Sequence, residues 1–164
     1  MGKIGIYPGT FDPITFGHID VIKRSLKIVN KLIIAVSNDH SKDYLFTAEE
    51  RVSIIKRSLF KDLKFKKQNI KVLSFNTLTT SLCSKYKATI IFRGLRAVSD
   101  FEYEFQLAGM NNQLNKKIET VFLMSDPENQ VISSKFVKEI AKLNGKIDNF
   151  VTKSTKILLK DKYA

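Results

Sequence analysis

Short apolar runs alternate with longer amphipathic ones along this chain, and that alternation restricts the fold more than any other feature. The apolar runs are KIGIY (3–7), KLIIAVS (31–37), IKVLSF (70–75), TIIF (89–92) and ETVFLM (119–124). KLIIAVS is almost unbroken, the pattern of a parallel strand buried on both faces. Each gap reads as a helix. GHIDVIKRSLKIV (17–29) places Ile19, Ile22, Leu26 and Val29 on one face. TAEERVSIIKRSL (47–59) opens with Thr47 and Glu50, a capping box, and sets Val52, Ile55 and Leu59 at helical spacing. TLTTSLCSKYK (77–87) is a poorer helix because of its threonines. SDFEYEFQLAGMNNQLN (99–115) repeats the capping-box pattern with Ser99 and Glu102. SKFVKEIAKLNG (134–145) is capped by Ser133 or Ser134 and stopped by Gly145, and a short helix near 152–162 follows.

Strands separated by helices must join through right-handed crossovers. The expected class is therefore α/β, a three-layer, doubly wound (Rossmann-like) five-stranded parallel sheet with helices on both faces. The 164 residues suit one domain, 1–164.

Composition removes several function classes. Cys83 is the sole cysteine, so no intramolecular disulfide forms, and with two histidines a closed zinc site is implausible. A reducing cytoplasm fits, and no metal ligand set is expected. No apolar run approaches the roughly 20 residues of a membrane span. The net charge of +12 is spread mostly over scattered lysines, densest in KDLKFKKQNIK (61–71). No nucleic-acid motif accompanies it. It reads as a solvated surface whose field draws in small anions, with no nucleic-acid or membrane partner.

In open parallel sheets, ligands bind beyond the carboxyl ends of the strands, where strand order reverses. The polar loops sit there: GTFDPITFGH, SNDHSKDY, FNTLTT, RGLRAVSD and MSDPENQVISSK each follow a strand. Helix N-termini at such a cleft attract anions, and His18, Lys42, Arg93 and Arg96 make it cationic. Neither GxxxxGK[ST] nor a GxGxxG after the first strand is present, so phosphate is held by another device. No GxSxG elbow exists, and Cys83 reads as a small buried hydrophobe. What remains is a site that works by position and charge, as phosphoryl and nucleotidyl transfer require.

Thr10 and His18 flank the turn in PGTFDPITFGH (8–18) and are both expected to face a phosphate. His18, in a first helical turn, is expected to be a neutral donor. Gly9 is expected to let the backbone approach a phosphate, Pro13 to stiffen the loop, and Gly17 to start the helix tight against the ligand. Arg93 and Arg96 read as two cations on one loop, placed to hold different phosphates. Asp12 is either a site-edge residue or a turn residue.

GTFDPITFGHIDVI resembles the T/HxGH signature of the nucleotidyltransferase superfamily that shares its core with class I aminoacyl-tRNA synthetases. The Lys42 segment with FTAEERV, the block IIFRGLRAVSDFEYEFQLAGMN, and VFLM followed by ISSKFVKEI extend the match over residues 3–145. Together they are similar to the bacterial phosphopantetheine adenylyltransferases. The resemblance implies transfer of AMP from ATP to 4′-phosphopantetheine with Mg²⁺, giving dephospho-coenzyme A and pyrophosphate without a covalent enzyme intermediate. It also implies a cytoplasmic homohexamer of paired trimers and feedback inhibition by coenzyme A.

By position, the resemblance gives Thr10 a contact with both substrates. It places Phe11 and His18 at ATP, with His18 stabilising the pentacovalent α-phosphate. Lys42 and Arg93 would hold the acceptor phosphate, and Leu78 and Thr79 would border the pantetheine arm. Gly94, Leu95, Arg96 and Glu104 would meet ATP, as would Asn129, Gln130, Val131, Ile132, Ser133, Ser134 and Lys135. Thr10, His18, Lys42 and Arg96 form the implied catalytic set. The chain departs from the family pattern at Lys135, where a third hydroxyl residue is usual, and in SDPENQ, which lacks an aromatic residue that some members carry. Two alternatives stand beside this reading: an adenylyl- or cytidylyltransferase for another phosphate acceptor, and a non-enzymatic nucleic-acid-binding domain.

Overall fold

A computed structural model describes residues 2–164. Its centre is a five-stranded parallel sheet of β1 (Ile4–Gly9), β2 (Lys31–Ser37), β3 (Ile70–Phe75), β4 (Ile90–Leu95) and β5 (Glu119–Met124), in the order β3-β2-β1-β4-β5. The order reverses between β1 and β4, so the cleft expected beyond the strand ends opens there.

Alternation along β2 shows why the run had to be continuously apolar. Leu32, Ile34 and Val36 join one core, while Ile33 and Ala35 join the other. The larger core lies under α1 (Phe16–Ser25), α2 (Ala48–Lys56), α5 (Ser134–Lys142) and α6 (Lys153–Tyr163), which contribute Ile22, Ile55, Val137 and Leu159. The smaller core packs α3 (Thr79–Tyr86) through Leu82 and Cys83. Burial pushes the Cys83 thiol up to about 11, so it stays an inert hydrophobe at neutral pH. The remaining helix, α4 (Val98–Leu114), lies beside α3, and Glu104 is its one buried residue.

Several local expectations change. The first helix ends at Ser25, and Val29 is buried from the turn that follows it. The Thr47–Glu50 capping box forms, with reciprocal bonds of 2.8 and 3.2 Å. Beyond Lys56 the helix widens into a π-helical stretch, Arg57–Asp62, which carries Leu59 into the core.

Ser99 does not cap α4. The helix starts one residue earlier, Ala97 occupies the cap, and Asp100 accepts a bond from the Arg96 N–H at 3.3 Å instead. Ser133 caps α5 by accepting from the Phe136 N–H at 3.1 Å. At the end of α5, Asn144 takes the left-handed turn at φ 58 rather than Gly145. Gly145 is needed for close approach, since a Cβ there would lie 2.5 Å from Ile140 Cγ2. No helix among the described residues is long and apolar enough to cross a membrane.

Candidate active site

The cleft at the β1/β4 switch point has a volume of about 500 Å³, within the range of small-molecule sites. It brings together Thr10, His18, Lys42, Thr79, Arg93, Gly94, Arg96 and Glu104 from four strand ends and the loops and helices that follow them, and Ile132, Ser133, Ser134 and Lys135 from the entry to α5. Most of the residues picked out from sequence therefore converge, although they span 126 positions from Thr10 to Lys135 when both ends are counted.

The rest lie around the rim or behind it. Leu78 is exposed next to Thr79, and Val131 is exposed at the outer edge. Asn129, half-buried, ends a 3₁₀ turn, and its carbonyl accepts from the Ile132 N–H at 3.1 Å; Gln130 is exposed beside it. Leu95 closes β4, opposite Met124.

Phe11 stands apart: its ring is fully buried, packed edge-on to Tyr7 at 5.2 Å and 5.0 Å from the His18 ring. Only its main chain can face a nucleotide. Its φ of 48 makes the sharp turn after Thr10. Gly9 serves this packing too, since a Cβ there would come within 3.0 Å of the Phe11 ring. That requirement comes from the protein and does not depend on a phosphate.

His18 is fixed by a local device. Thr15 is the N-cap of α1, and its backbone N–H donates to His18 Nδ1 at 3.0 Å, with the Thr15 hydroxyl 3.1 Å from the same nitrogen. A nitrogen that accepts carries no proton, so the proton of the neutral ring sits on Nε2. Burial lowers the His18 pKa from 6.5 to about 4, and the Arg96 and Arg93 guanidiniums act in the same direction. The ring is thus a neutral donor at physiological pH, as expected. The causes are burial, the two arginines and the capping bond.

The two arginines occupy different settings. β4 continues through Gly94 and Leu95 alongside β5, so Arg93 is a strand residue and not part of a loop with Arg96. The neighbouring strand supplies pairing partners that the local sequence cannot reveal. Arg93 donates through Nε to Glu104 at 2.7 Å, through Nη2 to the same carboxylate, and through Nη1 to the Pro8 carbonyl at 2.9 Å. This two-pronged pair holds the guanidinium at the cleft floor with protons to spare. Arg96 is more exposed, 3.7 Å from Asp100 and 3.4 Å from the Ile132 carbonyl. Lys42 is largely exposed on the loop after β2 and lies 4.0 Å from Asp39.

Asp12 is a structural clamp. It is buried, accepts from the Leu45 and Phe46 N–H groups at 2.9 and 3.0 Å, and pairs with Lys138 at 2.9 Å. The bond between Asp12 and Pro13 is cis. The Ser134 hydroxyl donates to the Pro13 carbonyl at 2.8 Å, tying α5 to the same loop. Tyr7, which the sequence reading passed over, lines the cleft with its phenol held protonated by burial. Arg51 was also passed over, because a cation in an amphipathic helix reads as part of its solvated face; it is fully buried behind Thr10.

Among the described residues no three of His, Cys, Asp and Glu are grouped to hold a metal ion. Of the carboxylates at the cleft, Glu104 is committed to Arg93, and Asp100 lies beside Arg96. The arrangement offers anion donors on both sides of one space. It suits a reaction between two phosphate-bearing molecules.

Comparison with known proteins agrees with this geometry. The cytidylyltransferase-like family model matches residues 6–140. A protein of Pelagibacter ubique named phosphopantetheine adenylyltransferase is 66% identical, with 99% of each chain covered. One of the same name from Rhizorhabdus wittichii is 51% identical over 92% of this chain and 88% of its own. Among solved structures, a putative nicotinate-nucleotide adenylyltransferase from Vibrio parahaemolyticus superposes with a TM-score of 0.75 at 19% identity, covering 98% of this chain and 99% of that one. At that identity the likeness speaks for the fold alone.

Proposed function

Since the chain belongs to the cytidylyltransferase-like nucleotidyltransferases and, within them, to the phosphopantetheine adenylyltransferases, we infer that it transfers the adenylyl group of ATP to 4′-phosphopantetheine, a step of coenzyme A biosynthesis. The observation that carries the site-level reading is the locked His18 ring, a neutral Nε2–H tautomer that lines the same cleft as Arg93 and Arg96.

A phosphate oxygen of 4′-phosphopantetheine attacks the α-phosphorus of ATP. The new P–O bond forms as the bond to the α,β-bridging oxygen breaks, and pyrophosphate leaves with that electron pair. The nucleophile is already an anion, so no residue need remove a proton from it. His18 donates to a non-bridging α-phosphate oxygen, where charge builds in the pentacovalent state. Thr10, on the neighbouring turn, contacts both the acceptor phosphate and the α-phosphate. Lys42 and Arg93 hold the acceptor phosphate, with Leu78 and Thr79 beside its pantetheine arm. Arg96, Gly94, Leu95, Glu104, the Phe11 main chain and residues 129–135 bind ATP. Lys135 lines the cleft, so it adds a cation at the position where the family resemblance implies a hydroxyl.

Mg²⁺ enters with the nucleotide, as part of the MgATP substrate. This accords with an ion that keeps its waters and prefers phosphate oxygens, and with a cleft whose carboxylates face arginines.

We place this single domain, residues 1–164, in the cytoplasm as a homohexamer inhibited by coenzyme A. Val98, Phe101, Phe105, Met110 and Leu114 are exposed along α4, and Met124 at the end of β5, which supports a subunit interface there. Coenzyme A carries the same phosphopantetheine arm as the acceptor and would compete for its subsite. The decisive assay is pyrophosphate release from ATP. Dependence on 4′-phosphopantetheine is expected; release with nicotinate mononucleotide in its place would overturn the assignment.

A further inference from the structure

Arg51, on α2, is among the largest fully buried side chains of the protein. It forms none of the salt bridges found among the described residues. Burying a guanidinium without a carboxylate is costly unless its protons are taken up by well-placed carbonyls. Nη1 donates to the Thr10 carbonyl at 2.7 Å and to the Ser37 carbonyl at 2.8 Å. Nε is shared between the Phe46 and Thr47 carbonyls at 3.1 and 3.3 Å. The guanidinium carbon lies 3.9 Å from the centre of the Tyr44 ring, and Nη2 is buried without a partner. Two of these bonds hold the entry to α2, and the other two fall on the ends of two adjacent strands. Gly9 and Val36 are register partners on β1 and β2, so Thr10 and Ser37 are the first residues beyond that pair.

We propose that Arg51 is a positioning residue for adenylyl transfer: it fixes the separation between the Thr10 turn, which handles the nucleotide, and the loop from Ser37 through Lys42 to Tyr44, which handles the acceptor. One nitrogen bridging both carbonyls sets their spacing, while the Tyr44 ring and the Nε bonds keep the planar fork from swinging. Thr10 meets the α-phosphate as well as the acceptor phosphate that Lys42 holds. An error in that spacing is therefore an error in the distance from the attacking oxygen to the α-phosphorus. Reacting atoms need to be about 3–3.5 Å apart, and a shift of about 1 Å can cost about 100-fold in rate. Lysine cannot replace the arrangement, because a single ammonium has neither the fork nor the flat face. This inference rests on the roles given above to Thr10 and Lys42.

The test is a double-mutant cycle in the full-length protein with Arg51→Lys, Thr10→Val and the pair. It reads kcat and both KM values for acceptor-dependent pyrophosphate release, and MgATP affinity at equilibrium. Arg51→Lys is expected to lower kcat about 30- to 100-fold with each KM within about threefold of wild type. In the Thr10→Val background the same change should cost less than about fivefold, because the effect runs through Thr10. An equal loss in both backgrounds, or an unchanged kcat for Arg51→Lys, overturns the proposal while leaving Thr10 its role. Full activity of Thr10→Val overturns the role of Thr10 and the proposal with it. Should Arg51→Lys fail to fold, Tyr44→Leu and Tyr44→Phe carry the test. Loss of the ring should lower kcat about tenfold relative to the phenylalanine variant; equal rates for the two overturn the proposal.

Discussion

Replacing His18 separates two roles that one side chain performs. In His18→Ala the transferring phosphate loses a neutral donor in a water-poor cleft, a change that typically costs about 2.7–4 kcal/mol, or about 10²–10³ in kcat. The Thr15 N–H also loses the acceptor that it meets at 3.0 Å. Leaving such a half-buried donor unpaired costs about 1–2 kcal/mol of stability. For a chain of this size that is a fall in Tm of about 2–8 °C. His18→Gln distinguishes the two effects. Glutamine at the third helical position can accept from the cap N–H as a capping-box partner does. Its amide cannot place a donor where the imidazole Nε2–H stood.

The expected result is that Gln recovers most of the stability and little of the rate, while MgATP affinity stays within a few-fold of wild type for both variants. Steady-state pyrophosphate release, thermal melts and equilibrium nucleotide binding measure the three quantities. If His18→Ala slows kcat by less than about threefold, or if Gln restores both rate and stability, His18 does not act as the α-phosphate donor.

Other consequences follow from the same geometry. Lys42→Ala should raise the KM for 4′-phosphopantetheine about tenfold or more while leaving MgATP affinity unchanged, since the lysine lies on the acceptor loop; initial-rate kinetics with each substrate varied decide it. In the ligand-free protein the His18 ring should remain neutral down to about pH 4. Its folded pKa is depressed, so the unfolded state binds the proton first; His18 then contributes to a loss of stability as pH falls from its ordinary 6.5 towards about 4, visible in its NMR titration and in melts across that window. Glu104→Gln should destabilise the fold by about 2–3 kcal/mol in chemical denaturation, because it leaves the Arg93 guanidinium without its charge partner in a mostly buried site. The same variant should weaken both substrates, since Arg93 is no longer held at the cleft floor.

The sheet could be read from the chain because its signals are local. A continuous apolar run such as KLIIAVS, buried on both faces, has few other places to go, and the Thr47–Glu50 pair marks its helix within four residues. The cleft was legible for a related reason: parallel strands deliver their following loops to one edge, so Thr10, His18, Arg93 and Ser133 meet without any knowledge of contacts. What stayed hidden depends on partners distant in sequence. Arg51 becomes a buried clamp only because two strand ends converge on it 14 and 41 residues away. Asp12 becomes a clamp only because the segment before α2 folds over it. Ser99 fails as a cap because Asp100 already engages the Arg96 N–H and the helix begins earlier. The apolar surface of α4 exceeds what one helix face needs, and the fold of a single chain leaves it exposed.

The account stands most directly on the stereochemical course at the α-phosphorus. The protein is given 4′-phosphopantetheine and ATP bearing a single sulfur of known configuration on the α-phosphate, and the configuration of the dephospho-coenzyme A thio-analogue is read by ³¹P NMR. A single in-line displacement in this cleft predicts an acceptor-dependent product with inverted configuration. Retention would mean a double displacement through a covalent adenylyl-enzyme, and absence of the product would remove the assigned acceptor; either result contradicts the account.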